Sequence, residues 1–227
     1  MATFVAALTV PLNPGADSFG VDFNPVPDSA NPTMPSLRVV NNLDQNLRVQ
    51  AVSGVNAPGT TFVDTNLNYQ AGDVNFGQNP TVGEVAYTNN VPGATSTTLL
   101  GIDTRLNVLV QVTSANGGTL RTLGTLDGNF ESLIGFDVSG FSGIGFAALT
   151  SDDGLTRLFT VNTSNAPGIV NNRATAVGLI GDGLLPLRGL MALTPGINAV
   201  PEPATLAMAG FGLGVVGLAA IRRRAKA

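Results

Sequence analysis

The stretch "TLGTLDGNFESLIGFDV", residues 122–138, recurs further along the chain as "AVGLIGDGLLPLRGLMA", residues 176–192. Gly124 corresponds to Gly178 and Gly135 corresponds to Gly189, and both pairs are 54 residues apart. Self-similarity at a fixed spacing is the signature of a fold built from repeated supersecondary units. The stretch therefore predicts that this protein is an array of similar units.

Less regular matches extend the repeat upstream. "FGVDF" at 19–23 resembles "IGFDV" at 134–138, two periods of roughly 57 residues away. Two further pairs match at less regular separations: "VAYT" at 85–88 with "FAALT" at 146–150, and "TLLGIDT" at 98–104 with "RLFTVNT" at 157–163. About four short strands per unit is typical of a β-propeller blade. Because only a little over three repeats fit between Phe19 and Leu193, we expect an incomplete propeller.

The composition favours strands and turns and excludes several chemistries. The chain of 227 residues has 28 Gly, 14 Pro and only 11% charged residues, which predicts an all-β body. It has no His, Cys or Trp. A His-assisted nucleophile, a thiolate nucleophile, a Cys or His zinc site and a disulfide framework are therefore excluded, and we expect a protein that is not an enzyme.

The charges are unevenly distributed along the chain. The formal net charge is −4, yet four of the 11 basic residues lie in the last six positions, so the body alone is clearly acidic. A clustered basic face is the usual footprint of a nucleic-acid-binding protein. The body therefore gives no indication of nucleic-acid binding.

The C-terminus has a three-part organisation. Pro201, Glu202 and Pro203 precede residues 204–221, an apolar run whose only polar residue is Thr205, and the basic residues Arg222, Arg223 and Arg224 follow it. An apolar run of 18 residues is just long enough for a membrane helix. Since arginines are retained on the cytoplasmic side, we expect the body to face outward.

This ordered tail resembles the PEP-CTERM sorting signal of Gram-negative bacteria. The resemblance implies export, a transient inner-membrane anchor, processing by an exosortase, and a final place in the cell envelope or an exopolysaccharide matrix. Exopolysaccharide is accordingly a possible partner of the body.

The body also resembles a bacterial family of uncharacterised exported domains that is often followed by this kind of tail. The segments that carry the likeness are "FGVDFNPVPD" at 19–28, "LRVVNNLDQNLRV" at 37–49, "AYTNNVPGATSTTLLGIDT" at 86–104 and "LRGLMAL" at 187–193. In that family the domain usually extends further towards the N-terminus. The resemblance implies a fold and a location, and it implies no molecular activity.

These observations predict five segments. Residues 1–18 are an N-terminal segment that we interpret as a truncated blade, and residues 19–195 form the propeller-like domain. A linker with the Pro-Glu-Pro box follows at 196–203, then the membrane helix at 204–221 and the basic tail at 222–227. The start "MATFVAALTVPLNPG" lacks the basic region and the apolar length of a secretory signal. We therefore expect the natural gene to begin upstream.

Three Gly-x-Asp triplets suggest candidate carboxylates. Asp22 and Asp137 fall at one place in the repeat, whereas Asp103 falls where the next repeat has Asn162. Such residues commonly accept hydrogen bonds from turn amides, which is the favoured interpretation. The alternative is a site at the propeller mouth, where Asp22 and Asp137 about 5–10 Å apart would suit hydrolysis of a polysaccharide.

Other side chains suggest further hypotheses. The predicted loop at 63–80 contains Asp64 and Asp73, candidates for a Ca²⁺ site in a calcium-stabilised adhesion module. Tyr69 and Tyr87 are candidates for stacking on a sugar ring, although two tyrosines make no aromatic platform. Arg38 and Arg48, ten residues apart, are expected to pair with acidic neighbours.

The leading hypothesis is an exported, non-enzymatic protein with a binding or structural role and no cofactor. The two alternatives are an extracellular polysaccharide-acting enzyme with paired carboxylates and the calcium-stabilised adhesion module.

Overall fold

The computed structural model describes residues 4–26, 36–51, 56–165, 168, 170–184, 187 and 189–192. Within these ranges the chain forms strands and turns, and no helix there is long and apolar enough to cross a membrane. The predicted all-β body is confirmed. The predicted helix at 204–221 and the sorting motif before it lie outside the described residues.

The strands form three sheets that follow the chain in order. Sheet 1 contains β1 (Phe19–Phe23), β2 (Ser36–Asn41), β3 (Asn46–Gln50) and β4 (Thr61–Val63). Sheet 2 contains β5 (Asn68–Tyr69), β6 (Val82–Tyr87), β7 (Leu99–Asp103), β8 (Val108–Ser114) and β9 (Thr119–Thr125). Sheet 3 contains β10 (Phe130–Val138), β11 (Gly145–Ser151), β12 (Thr156–Val161) and β13 (Ala174–Leu179).

Each sheet is an antiparallel meander of four consecutive strands. The meanders begin at β1, β6 and β10, and β6 contacts both β1 and β10. The short strand β5 is an addition to sheet 2, where it pairs in parallel with β9. It lies in the segment 63–80 that sequence reasoning interpreted as a loop, because a two-residue strand has no detectable period.

The match of residues 122–138 with 176–192 is confirmed at 122–125 and 176–179, which lie in β9 and β13. In β9 the pairing with β8 skips Leu123, and Gly124 follows; in β13 the pairing with β12 skips Val177, and Gly178 follows. Both fourth strands therefore contain a β-bulge at the same place. The match of 19–23 with 134–138 likewise joins two first strands, β1 and β10.

The other two sequence matches are wrong by one strand. Residues 85–88 lie at the end of β6, a first strand, whereas 146–150 lie in β11, a second strand. Residues 98–104 cover β7, a second strand, whereas 157–163 cover β12, a third strand. The physical reason is that neighbouring strands in buried sheets have similar apolar sequences, so a single sequence does not distinguish their order.

Sheet 2 is buried on both faces, which explains its continuous apolar runs. Along β8, Val108, Val110 and Val112 face a core shared with sheet 1, whereas Leu109 faces a core shared with sheet 3. The core towards sheet 3 contains an edge-to-face pair of Phe130 and Phe159, with ring centroids 5.2 Å apart. Sheet 2 therefore supports the sheets on either side.

Candidate functional sites

Asp22 and Asp137 occupy the same place in two units and make the same hydrogen bonds. Each is the penultimate residue of a first strand, and its Oδ1 accepts the amide of the following residue, Phe23 or Val138, at 2.7 Å. The Oδ2 atoms accept amides from further along the chain, that of Tyr87 at 2.6 Å and that of Ala192 at 2.7 Å. Both carboxylates therefore bind backbone on both oxygens.

A glycine two residues earlier completes the same contact in each case. A Cβ on Gly20 would lie 2.5 Å from Cα of Glu84, and a Cβ on Gly135 would lie 2.7 Å from Cβ of Leu190. Because real Cβ atoms do not approach so closely, only glycine fits at these two positions. In these two first strands Gly-x-Asp is thus a junction motif, in which the glycine allows contact with the next segment and the aspartate binds its backbone.

The repeated junction explains the position of residues 189–192. They contact β10 through the same pattern of atoms by which β6 contacts β1, since Gly135 adjoins Gly189 and Leu190 while Asp137 binds Ala192. In β6, the first strand of sheet 2, the place of the junction glycine is taken by Glu84 and the place of the junction aspartate by Ala86, counted back from the last residue of each strand. The junction between sheets 2 and 3 therefore has neither the glycine nor the aspartate.

Burial shapes the electrostatics of these carboxyl groups. It is the largest cause that raises the pKa of Asp22 to about 6, and the negative charge of Asp137 adds to it. Burial also raises the pKa of Asp137 above its usual value, and that of Glu84 to about 8. The amide hydrogen bonds act in the opposite direction at both aspartates.

Asp103 is a buried structural group. Its Oδ1 accepts the amide of Leu106 in the β7–β8 turn at 3.1 Å, and its Oδ2 accepts the hydroxyl of Tyr69 at 2.8 Å. Asn162, the residue matched to it by sequence, follows β12 and accepts the amide of Ser164 at 3.0 Å. The two residues make similar turn contacts at different places in the unit, so their predicted equivalence is wrong.

Asp64 and Asp73, the two candidate calcium ligands, accept hydrogen bonds from protein donors. Asp64 accepts from Arg38 at 2.7 Å and also pairs with Arg48 at 3.5 Å, as expected for those two arginines. Asp73 accepts the amide of Thr122 at 2.6 Å and its hydroxyl at 2.7 Å, which attaches the loop to β9. In the part of the chain that the structure describes, no three acidic side chains cluster in a way that could hold a metal ion.

The two tyrosines are buried and offer no exposed ring for stacking on a sugar. Tyr69 and Tyr87 retain 3% and 4% of their accessible surface and belong to the core between sheets 1 and 2. The sequence makes both tyrosines candidates for sugar contacts because it does not show which face of a sheet a side chain occupies.

Two polar cavities were not predicted from the sequence. One, of about 380 Å³, is lined by residues of sheets 1 and 2 that include Arg38, Arg48 and Tyr87. The other, of about 590 Å³, lies on sheet 3, and its wall includes the buried Arg173. None of the lining residues of either cavity is Asp22 or Asp137. A single Arg in a polar segment gives no sequence signal that would distinguish it from a surface residue.

Comparison with known proteins identifies both parts of the chain. The model of the family described as domain of unknown function (DUF4394) matches residues 1–190, and the chain belongs to this family. The PEP-CTERM protein-sorting motif matches residues 199–224. No curated protein matches the chain.

The two matches define the class of the protein. The sorting motif marks it as an exported protein that is sorted in association with the membrane and processed by an exosortase. The family assigns no molecular activity to the body.

Proposed function

We propose that this protein is a non-enzymatic component of the cell envelope or extracellular matrix, where its β domain has a binding or structural role. The observation that carries the proposal is the PEP-CTERM motif at 199–224, joined to a domain built from repeated sheets. The apolar run at 204–221 would be a transient membrane anchor, with Arg222, Arg223 and Arg224 on the cytoplasmic side.

The proposed architecture is propeller-like, with the first strand of each sheet nearest a common axis. Three observations support it: β6 lies between β1 and β10, the Gly-x-Asp junction occurs twice, and residues 189–192 adjoin β10 as β6 adjoins β1. In this arrangement 189–192 would be the first strand of a fourth unit. A crystal structure in which the first strands do not surround an axis would contradict it.

A binding role is favoured over catalysis because the oxygens of the candidate carboxylates are already hydrogen-bonded to backbone amides. An acid–base pair needs oxygens that reach the substrate, but both oxygens of Asp22 and of Asp137 accept backbone amides. A calcium-dependent role is likewise less favoured because Asp64 and Asp73 bind arginine and threonine donors. We accordingly propose that no metal cofactor is needed.

The proposed location is tested by fractionating cells that express the full-length protein. In a host with an exosortase we expect the shortened product in the envelope or medium, and in an exosortase-deficient strain the unprocessed chain in the inner membrane. Replacing Pro201, Glu202 and Pro203 together by alanine should have the same effect as the deficient strain. Asn198→Ala, just outside the matched motif, is the control and should be processed normally; protein found only in the cytoplasm would overturn the proposal.

A further inference from the structure

Arg173 is a buried cation that has no carboxylate partner among the residues the structure describes. Only 1% of its surface is accessible, and its guanidinium donates to three backbone carbonyls, those of Asn162 at 2.7 Å, Ser164 at 2.8 Å and Leu123 at 2.8 Å. No carboxylate of the described residues forms an ion pair with it, and its Nε makes no hydrogen bond there. Burying a charge without an opposite charge is unfavourable, so an anion bound next to Arg173 would stabilise this site.

A second arginine adds to the positive charge near Arg173. Arg121 of β9 donates to Gln111 at 2.6 Å and makes no ion pair with a described carboxylate. Burial lowers the pKa of the Arg173 guanidinium, and the positive charge of Arg121 lowers it further. Two guanidinium groups thus create a local positive potential in an otherwise acidic body, the condition under which an anion is attracted.

The cavity of about 590 Å³ on sheet 3 gives access to this site. Its volume accommodates a ligand considerably larger than an inorganic ion. Besides Arg173 and the apolar Ile144 and Val161, the described residues of its wall are Gly143 and residues with hydroxyl or amide side chains, with no carboxylate among them: Ser142, Thr160, Asn162, Thr163, Ser164, Asn172 and Thr175. These groups both donate and accept hydrogen bonds, as the hydroxyl groups of a sugar require.

We infer that this cavity binds a carboxylate-bearing saccharide, such as a uronic acid or a segment of a polyuronate. The ligand carboxylate supplies the counter-charge to Arg173. Both N–H groups of Nη1 and one of Nη2 bind backbone carbonyls, so the second N–H of Nη2 is the donor left for the ligand, through a charge-assisted hydrogen bond. The sugar hydroxyls exchange hydrogen bonds with the threonine, serine and asparagine side chains of the wall. The inference rests on the proposed binding role and names its ligand class.

The test is calorimetric titration of the full-length protein with galacturonate, and in parallel with polygalacturonate, galactose and sulfate. We expect saturable binding of galacturonate or polygalacturonate. Tighter binding of galacturonate would indicate a free sugar acid as the ligand, and tighter binding of polygalacturonate would indicate a segment of a polymer. Galactose lacks the carboxylate and sulfate lacks the hydroxyl pattern, so both should bind at least about tenfold more weakly. Absence of uronate binding at millimolar concentrations, or equal binding of sulfate, would overturn the inference.

Asn162→Asp is the decisive variant because it adds a negative charge to the cavity wall without changing side-chain size. Its Oδ1 would still accept the Ser164 amide, and the new charge would compete with the ligand for Arg173. We expect at least about tenfold weaker uronate binding. Asn24→Asp is the matched control, since Asn24 accepts the Val26 amide at 3.0 Å in the same kind of turn but does not line this cavity. Equal weakening in both variants would contradict the site.

A steric variant keeps the test independent of charge. Thr175 is an exposed residue of the wall, and Thr175→Tyr should fill the cavity and abolish uronate binding. Val177→Tyr, at a 60% exposed position of the same strand outside the cavity, should leave binding unchanged. If the protein reaches the envelope but binds no uronate, the inferred ligand site is wrong and the proposed location is unaffected.

Discussion

At the scale of single residues, Asp22 and Asp137 stabilise the junctions between successive units. Each satisfies two backbone amides, and an amide that loses its partner in a buried setting costs about 1–3 kcal/mol. We therefore expect Asp22→Ala to lower the free energy of unfolding by about 1–3 kcal/mol, and Asp137→Ala to act similarly. Urea denaturation at pH 5, below the raised pKa of Asp22, measures this without the cost of burying its charge.

The matched control for both variants is Asp152→Ala, since Asp152 is an exposed aspartate of the β11–β12 turn. It should change the unfolding free energy by less than about 0.5 kcal/mol. If Asp22→Ala were as mild as Asp152→Ala, the carboxylate would not hold the junction. Such a result would reopen the question of what these aspartates do.

Glu84 makes a residue-scale prediction about pH. Its pKa is raised by burial from 4.5 to about 8, so the folded state resists an ionisation that the unfolded chain undergoes readily. Its contribution to stability is present below pH 4.5 and is lost as the pH rises towards 8. Glu84→Gln should remove this loss, which is on the order of 3 kcal/mol, and make the fall in stability between pH 5 and 8 less steep. A smaller fall remains near pH 6, where the raised pKa of Asp22 lies.

Denaturation series at several pH values measure that slope. Glu131→Gln serves as the control, because Glu131 is exposed and its replacement should leave the profile of the natural protein unchanged. A Glu84→Gln variant that lost stability between pH 5 and 8 as steeply as the natural protein would show that another group is responsible.

At the scale of the strand, Gly124 and Gly178 follow the same bulge but have different surroundings. A Cβ on Gly124 would overlap the carbonyl oxygen of Val170 and lie 2.8 Å from Nε of Arg173, whereas a Cβ on Gly178 meets nothing within 4 Å. Gly124→Ala should therefore destabilise the protein by at least about 2 kcal/mol, as expected for overpacking. Gly178→Ala should change the unfolding free energy by less than about 0.5 kcal/mol.

Thermal or urea denaturation of the two variants side by side makes this comparison. The pair is informative because the repeat alone predicts equal effects, and equal losses of stability would mean that the contact with residues 170 and 173 is unimportant. The difference arises because β9 is covered by the chain that leads into β13, whereas β13 is exposed along almost its whole length.

At the scale of the whole molecule, stability should be independent of divalent cations. The candidate ligand Asp64 accepts a hydrogen bond from Arg38, and the candidate ligand Asp73 accepts two from Thr122. A bound metal would add a concentration-dependent term to stability, which a chelator would remove. We expect excess EDTA to change the Tm of the full-length protein by less than about 1 °C; a fall of several degrees, reversed by added Ca²⁺, would contradict this.

The sequence by itself determined the all-β class, the four-stranded unit and the sorting signal. These features are local: turn-rich composition, alternating and continuous apolar runs, and an ordered motif at 199–224 need no knowledge of distant contacts. The recurrence of Gly-x-Asp in first strands was also visible, and the favoured interpretation as a backbone-binding aspartate agrees with the hydrogen bonds of Asp22 and Asp137.

Only the tertiary structure decided which strand is which and which side chains are buried. It showed that two sequence matches were displaced by one strand, that Tyr69 and Tyr87 face the core, and that Arg173 lies at a cavity without a carboxylate partner among the described residues. The physical reason is that strand order, burial and charge pairing depend on contacts between residues far apart in sequence. Leu123 and Arg173, 50 positions apart, meet only because β9 and the segment before β13 pack together.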